Sequence, residues 1–179
     1  MKRVAVIGPA GAGKSTLAGE LGLRLEVPVL HLDQLYWRPG WVATPPDEWE
    51  VFQRRALAEP AWVVDAQHDD MLPDWLEVAD VVVFLDASPA RCLWRAGRRR
   101  LSREPVEGVP HESPRGRADR SLATFVRGQW QYRRHLRGDL LADLGRHRNG
   151  REVVVLRRDA DRQRFLHHVD SAVLGRGTF

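Results

Sequence analysis

Residues 8–15 of the 179-residue chain read GPAGAGKS and satisfy the pattern G-x-x-x-x-G-K-[ST]. The chemistry such a run supports is phosphate binding. Glycines let the backbone curl until successive N–H groups face one anion, and the N-terminus of the helix that follows adds positive potential. Lys14 is then placed to reach the β and γ phosphates of a nucleoside triphosphate, and Ser15 to offer its hydroxyl to Mg²⁺. The expected ligand is Mg-ATP, held by Gly8, Pro9, Ala10, Gly11, Ala12, Gly13, Lys14, Ser15 and Thr16. Only two of the 28 basic residues are lysines, Lys2 and Lys14, so the one inside this pattern stands out against an arginine-biased composition.

A second cluster, HLDQLYWRPGW, occupies 31–41 at the end of an apolar run. Ligands of parallel α/β sheets sit beyond the carboxyl ends of the strands. Asp33 is therefore expected to face the crevice that holds residues 8–15, where its carboxylate would bind or deprotonate an acceptor hydroxyl. His31, Tyr36, Trp37, Arg38 and Trp41 are candidate substrate contacts. The aromatic rings would stack on a base or serve simple packing, and Arg38 would hold an anion. Two more carboxylates end apolar runs, Asp65 in WVVD and Asp86 in VVVFLD. One carboxylate of this kind commonly supports Mg²⁺, often through water. Asp65 is the expected partner of Ser15 for the metal, because the third run is expected beside the first; Asp86 is expected to position the helix after it.

Arginines crowd the following stretch: Arg91, Arg95, Arg98, Arg99, Arg100 and Arg103. At about 3.6 residues per turn, 91, 95 and 98 or 99 fall on one helical face. Arg115, Arg117 and Arg120 lie in or beside a proline- and glycine-rich break at 102–119, and Arg127, Arg133 and Arg134 follow it. A mobile arginine-bearing loop suits phosphoryl transfer, which needs donors for developing charge and a site closed to water.

The elements that must position these residues follow from apolar patterning. RVAVI (3–7), VPVLHLD (27–33), AWVVDA (61–66), DVVVFLDA (80–87) and EVVVL (152–156) are short runs without polar alternation, as in strands buried on both faces of a parallel sheet. Between them lie helical patterns from about Lys14, over Pro46–Ala58, over Pro89–Leu101 with Ser88 as cap, from Asp119 to about Gly145, and over Asp159–Val173. The alternation predicts a doubly wound α/β fold, one domain over 1–179 with a lid at 102–119.

Composition narrows the classes. Hydrophobic residues at 43% and charged residues at 29% are a globular balance, far from the disorder signature. No apolar run approaches the ~20 residues of a membrane span, and the first residues lack the features of a signal peptide, so a cytoplasmic protein without a membrane partner is expected. The single cysteine, Cys92, excludes internal disulfides and cysteine-built zinc sites. The net charge of +4 favours anionic partners.

GPAGAGKST, HLDQLYWRPGW and FLDASPARCLWRAGRRRL together resemble the bacterial topology modulation proteins, within the adenylate-kinase-like P-loop nucleotide kinases, and the resemblance covers nearly the whole chain. It implies an α/β P-loop NTPase with a five-stranded parallel sheet, helices on both faces and an arginine-bearing lid. Arg95 and Arg99 lie at the spacing after Asp86 where nucleoside monophosphate kinases carry lid-helix arginines that touch ATP phosphates, and Arg133 in WQYRR resembles an arginine of the helix after the lid. With Lys14 and Asp33 these are the expected catalytic residues. The chain departs from the resemblance at Ala66, Gln67 and His68, where D-G-N-Y is usual after the third strand, and at Trp75, where an arginine is usual. Both departures lie on the acceptor side. The implied activity is transfer of the γ-phosphate of ATP to a nucleotide or another small hydroxyl or phosphate acceptor. The alternatives are a nucleic-acid-binding protein with a regulatory NTP site, which lacks support from any helix-turn-helix or RNP-like signal, and a polynucleotide 5′-end kinase.

Overall fold

The structure, a computed structural model, describes residues 1–40, 42–66, 71–102, 127, 130, 132, 134, 137–146 and 151–175. In chain order the elements are β1 (Arg3–Ile7), α1 (Lys14–Leu25), β2 (Val29–His31), α2 (Leu32–Tyr36), β3 (Trp37–Arg38), β4 (Val42–Ala43), α3 (Pro46–Ala58), β5 (Trp62–Asp65), α4 (Leu72–Val78), β6 (Val81–Leu85), α5 (Pro89–Ser102), α6 (Arg137–Arg146), β7 (Glu152–Leu156) and α7 (Asp159–Leu174).

The apolar runs become a five-stranded sheet of order β2-β5-β1-β6-β7, with every pairing parallel. Successive strand residues point to opposite faces, so a strand apolar throughout needs cover on both. Val4 and Val6 of β1 pack with Leu17 and Leu21 of α1, Cys92 of α5, and Phe165 and Val169 of α7. Ala5 and Ile7 pack on the other face with Ala56 of α3, Trp75 and Leu76 of α4, and Leu140 of α6. Helices thus cover both faces. Neighbours of β1 come from opposite directions, β5 on one side and β6 on the other, which places the carboxyl end of β1 at the reversal of strand order where such sheets bind ligands.

Several expectations change in detail. The strand expected over 27–33 is only Val29–His31, because β2 is an edge strand whose one neighbour, β5, ends at Asp65 opposite His31. Residues 32–36 wind into α2 instead, with Leu32 buried against the α3–α4 face. Asp33 is therefore an exposed first-turn helix residue rather than the end of a strand. The WRPGW segment turns through Gly40, at φ +77°, into the small antiparallel pair β3–β4. A seven-residue helix not expected from the sequence, α4, buries Trp75 and Leu76. Ser88 caps α5 as expected, its Oγ accepting from the Arg91 N–H at 3.4 Å. Of the helix expected from 119 to 145, Arg137–Arg146 forms α6. The lid expected at 102–119 lies, apart from Ser102, outside the described residues.

Candidate functional site

Residues 8–13 join β1 to α1 at the reversal of strand order. Gly8, at φ +149°, passes so close to β6 that a Cβ there would lie 2.7 Å from the Leu85 carbonyl oxygen, and Gly11 and Gly13 take positive φ of 78° and 95°. Only glycine follows this path without strain. No side chain caps α1, and the N–H groups of a helix's first turn have no acceptor within the helix. Lys14 opens that helix and is only 8% exposed. Its ammonium arches back over the loop to 3.4 Å from the Pro9 carbonyl oxygen, with no carboxylate paired to it among the described residues. A buried cation of this kind is costly without a counter-ion, so the donor set fits a polyphosphate.

Ser15 is half-buried in the first turn of α1, which packs across β5. Asp65 ends β5, beside β1 as expected, and is 8% exposed. Its Oδ2 lies 3.3 Å from Nδ1 of His31, the register partner on β2. Among the described residues no three His, Cys, Asp or Glu side chains gather as a metal site. A Mg²⁺ ion held through one or two protein oxygens, water and substrate phosphates needs no such cluster, and Ser15 and Asp65 have the hard oxygens it prefers.

On the acceptor side, the Tyr36 ring lies 5.0 Å edge-on from Trp37 and 5.3 Å edge-on from Trp49, and Trp49 stacks at 5.3 Å on Phe52. The aromatic cluster thus joins the 31–41 segment to α3 through Trp49 and Phe52, neither of which the sequence singled out. Arg38 forms an ion pair with Glu48, the latter in the first turn of α3. Trp75, standing where an arginine was expected, is wholly buried; its Nε1–H donates to Gln53 Oε1 at 2.8 Å and its ring meets Trp62 edge-on at 5.0 Å. It belongs to the core. Trp41, Gln67 and His68 lie outside the described residues.

The arginines of α5 divide. Arg95 donates from Nη1 to the Ala12 carbonyl of the glycine loop at 2.5 Å and from Nη2 to Asp159 at 2.7 Å. Arg91 joins it at Asp159, 3.7 Å away, and donates to the Arg157 carbonyl at 3.2 Å. Arg98 turns away, its guanidinium 5.6 Å above the ring of exposed Trp94. The Arg99 side chain and Arg133 lie outside the described residues, as do Arg115, Arg117 and Arg120.

Asp86 has a different task from the one expected. Ser88 caps α5, while Asp86 takes hydrogen bonds from Arg137 Nε and Nη2, both at 2.8 Å, and a longer one from Arg157 Nε at 3.4 Å. Hydrogen bonding from Arg137 holds its carboxyl below the usual carboxylate range, against the opposing effect of burial, with Arg157 adding to the lowering. Burial pushes the nearby Tyr132 phenol above its ordinary value, and the charge of Asp86 pushes in the same direction. Arg137 and Arg157 were not singled out from sequence. Their only signal was that a carboxylate ending a buried strand needs a cation, which does not say which of many arginines supplies it.

Solved structures share this architecture. Shikimate kinase from Acinetobacter baumannii, in complex with shikimate, matches with a TM-score of 0.57 at 16% identity over 100% of this chain and 96% of that one. The fold is that of the P-loop NTPases. Shikimate kinase from Bacteroides thetaiotaomicron matches this P-loop NTPase fold with a TM-score of 0.53 at 14% identity, over 94% of this chain and 98% of that one. No family model and no curated protein matches the chain. Among the described residues no helix of this fold is long and apolar enough to cross a membrane.

Proposed function

We propose that the chain is an ATP-dependent phosphotransferase, a small P-loop kinase acting on a nucleotide or another small acceptor. The observation that carries this reading is the buried Lys14 ammonium arched over a glycine loop in which a Cβ at Gly8 would strike Leu85 and Gly8, Gly11 and Gly13 all take positive φ. Likeness to small kinases supports the fold on which the reading stands, and the narrower resemblance to topology modulation proteins rests on the sequence motifs alone.

In this reading the loop N–H groups and Lys14 hold the β and γ phosphates of ATP, and Ser15 and Asp65 hold Mg²⁺, which neutralises charge on the transferred group. Arg95 anchors the loop at Ala12 and adds positive charge beside it. Asp33 stands in α2 two residues after His31 and three before Tyr36 of the aromatic cluster, and its part is to accept the proton of the acceptor hydroxyl or to orient that hydroxyl. Catalysis is then mainly positioning and charge neutralisation. A polynucleotide 5′ end is the second reading, favoured by two exposed tryptophans, Trp94 and Trp130, each with an arginine over its ring at 5.6 and 4.8 Å, since bases stack on such rings while arginines meet the backbone.

The test is incubation of the protein with γ-labelled ATP, Mg²⁺ and a panel of nucleotides, nucleosides, small alcohols and a 5′-hydroxyl single-stranded oligonucleotide. Label on one class of small acceptor supports the proposal; label on the oligonucleotide alone moves it to the second reading; label on none, with no ATP turnover, overturns both.

A further inference from the structure

The carboxyl end of β6 carries a charged centre on the side of β1 away from Asp65. The Asp86 side chain, 8% exposed, receives two parallel hydrogen bonds from Arg137. A two-point fork of this kind fixes the plane of a guanidinium as well as its position. It engages Nε and Nη2 and leaves Nη1 outside. Arg157 is the second cation on the same carboxylate, so two guanidiniums face one carboxylate and the centre stays net positive. The Asp86 side chain is buried, while the Arg137 guanidinium is 32% exposed and therefore open to a ligand; the Tyr132 hydroxyl nearby is buried without a hydrogen-bond partner among the described residues.

The place of this centre along the phosphate loop is specific. Leu85, the residue before Asp86, is the one whose carbonyl presses against Gly8, the first residue of the loop. Lys14 reaches back to Pro9 at that same end, and the P-loop lysine marks the β–γ end of a bound triphosphate. Arg95 sits toward the opposite end, at Ala12. We propose that Arg137 reads the terminal phosphate of the nucleotide and that Asp86 is the positioning residue that holds it there. The inference rests on the nucleotide site proposed above and adds to it a residue from outside the loop that distinguishes triphosphate from diphosphate.

The experiment is isothermal titration of the full chain with Mg-ADP and with the imido analogue of Mg-ATP. Arg137→Ala is expected to lower affinity for the triphosphate analogue about tenfold or more, the scale of a charge-assisted hydrogen bond, while ADP binding changes less than about twofold. Arg137→Lys restores only part of the loss, because an ammonium lacks the fork. Asp86→Asn moves the same preference in the same direction by less, and the double variant is no weaker than Arg137→Ala, as expected when one residue acts through the other. Equal losses on both nucleotides in Arg137→Ala, or no loss, overturn the inference. Full triphosphate preference in Asp86→Asn overturns the positioning role, and should that variant fail to fold, the two Arg137 variants still decide. A wild-type chain that binds neither nucleotide fails earlier and differently: it overturns the nucleotide site itself, and the inference with it.

Discussion

His31 Nδ1 stands 3.3 Å from Asp65 Oδ2 across the last register pair of β2 and β5. Both side chains are largely buried, and the contact fixes which way the carboxylate faces. If Asp65 supports Mg²⁺ with Ser15, His31 stands behind that carboxylate as its orienting partner. His31→Ala is then expected to raise the Mg²⁺ concentration needed for ATP binding about tenfold, the effect of losing such a partner. Nucleotide titrations at several Mg²⁺ concentrations measure it, and an unchanged Mg²⁺ requirement would separate Asp65 from the metal.

Lys14→Ala should abolish ATP turnover and weaken Mg-ATP binding while the fold survives, because Lys14 makes one carbonyl contact and no ion pair among the described residues. Calorimetry checks the binding and circular dichroism the fold. Wild-type affinity in this variant would sink the reading of residues 8–16.

Asp33→Asn keeps the shape of the side chain and removes its charge and most of its basicity. With an acceptor in hand, the transfer rate is expected to fall about 10²-fold or more, as when a general base is lost, with ATP affinity unchanged. An exposed helix residue without a part in the chemistry would instead change the rate little and the stability by about 0.5 kcal/mol or less. Steady-state kinetics distinguish the two.

Asp86 links stability to pH. Its folded-state pKa is lowered chiefly by Arg137, so its contribution is present above the unfolded value of about 3.9 and is lost as pH falls through the folded value. Asp86→Asn should therefore be less stable than wild type at neutral pH, and the gap should narrow below about pH 4. Urea melts across that range follow the gap; a constant gap would mean that the Arg137 pair contributes nothing through charge.

Trp75→Phe should leave the Gln53 amide oxygen without its 2.8 Å donor in a site where Gln53 is 1% exposed. The expected loss is about 1–3 kcal/mol for the unsatisfied buried group, with ATP binding intact. Chemical denaturation gives the first number and calorimetry the second.

Local pattern was enough for the fold class and for the glycine path between β1 and α1. The strands announced themselves because residues such as Val4, Ala5 and Val6 are apolar without alternation, and burial on both faces demands that. The loop did so because a positive-φ path into a helix N-terminus requires glycines, here at 8, 11 and 13, all within six consecutive residues. What the sequence left undecided depends on neighbours far along the chain. β2 stops at His31 because β5 stops at Asp65, so Asp33 entered a helix although its own run reads as strand. Trp75 was legible as a departure from a pattern but not as a core residue, because its partners Gln53 and Trp62 come from α3 and β5. Asp86 could be seen to end a buried strand, yet its fork with Arg137, 51 residues on, belongs to the tertiary structure alone: an arginine is chosen by where its guanidinium can reach, and only the packing of α6 against the sheet sets that distance.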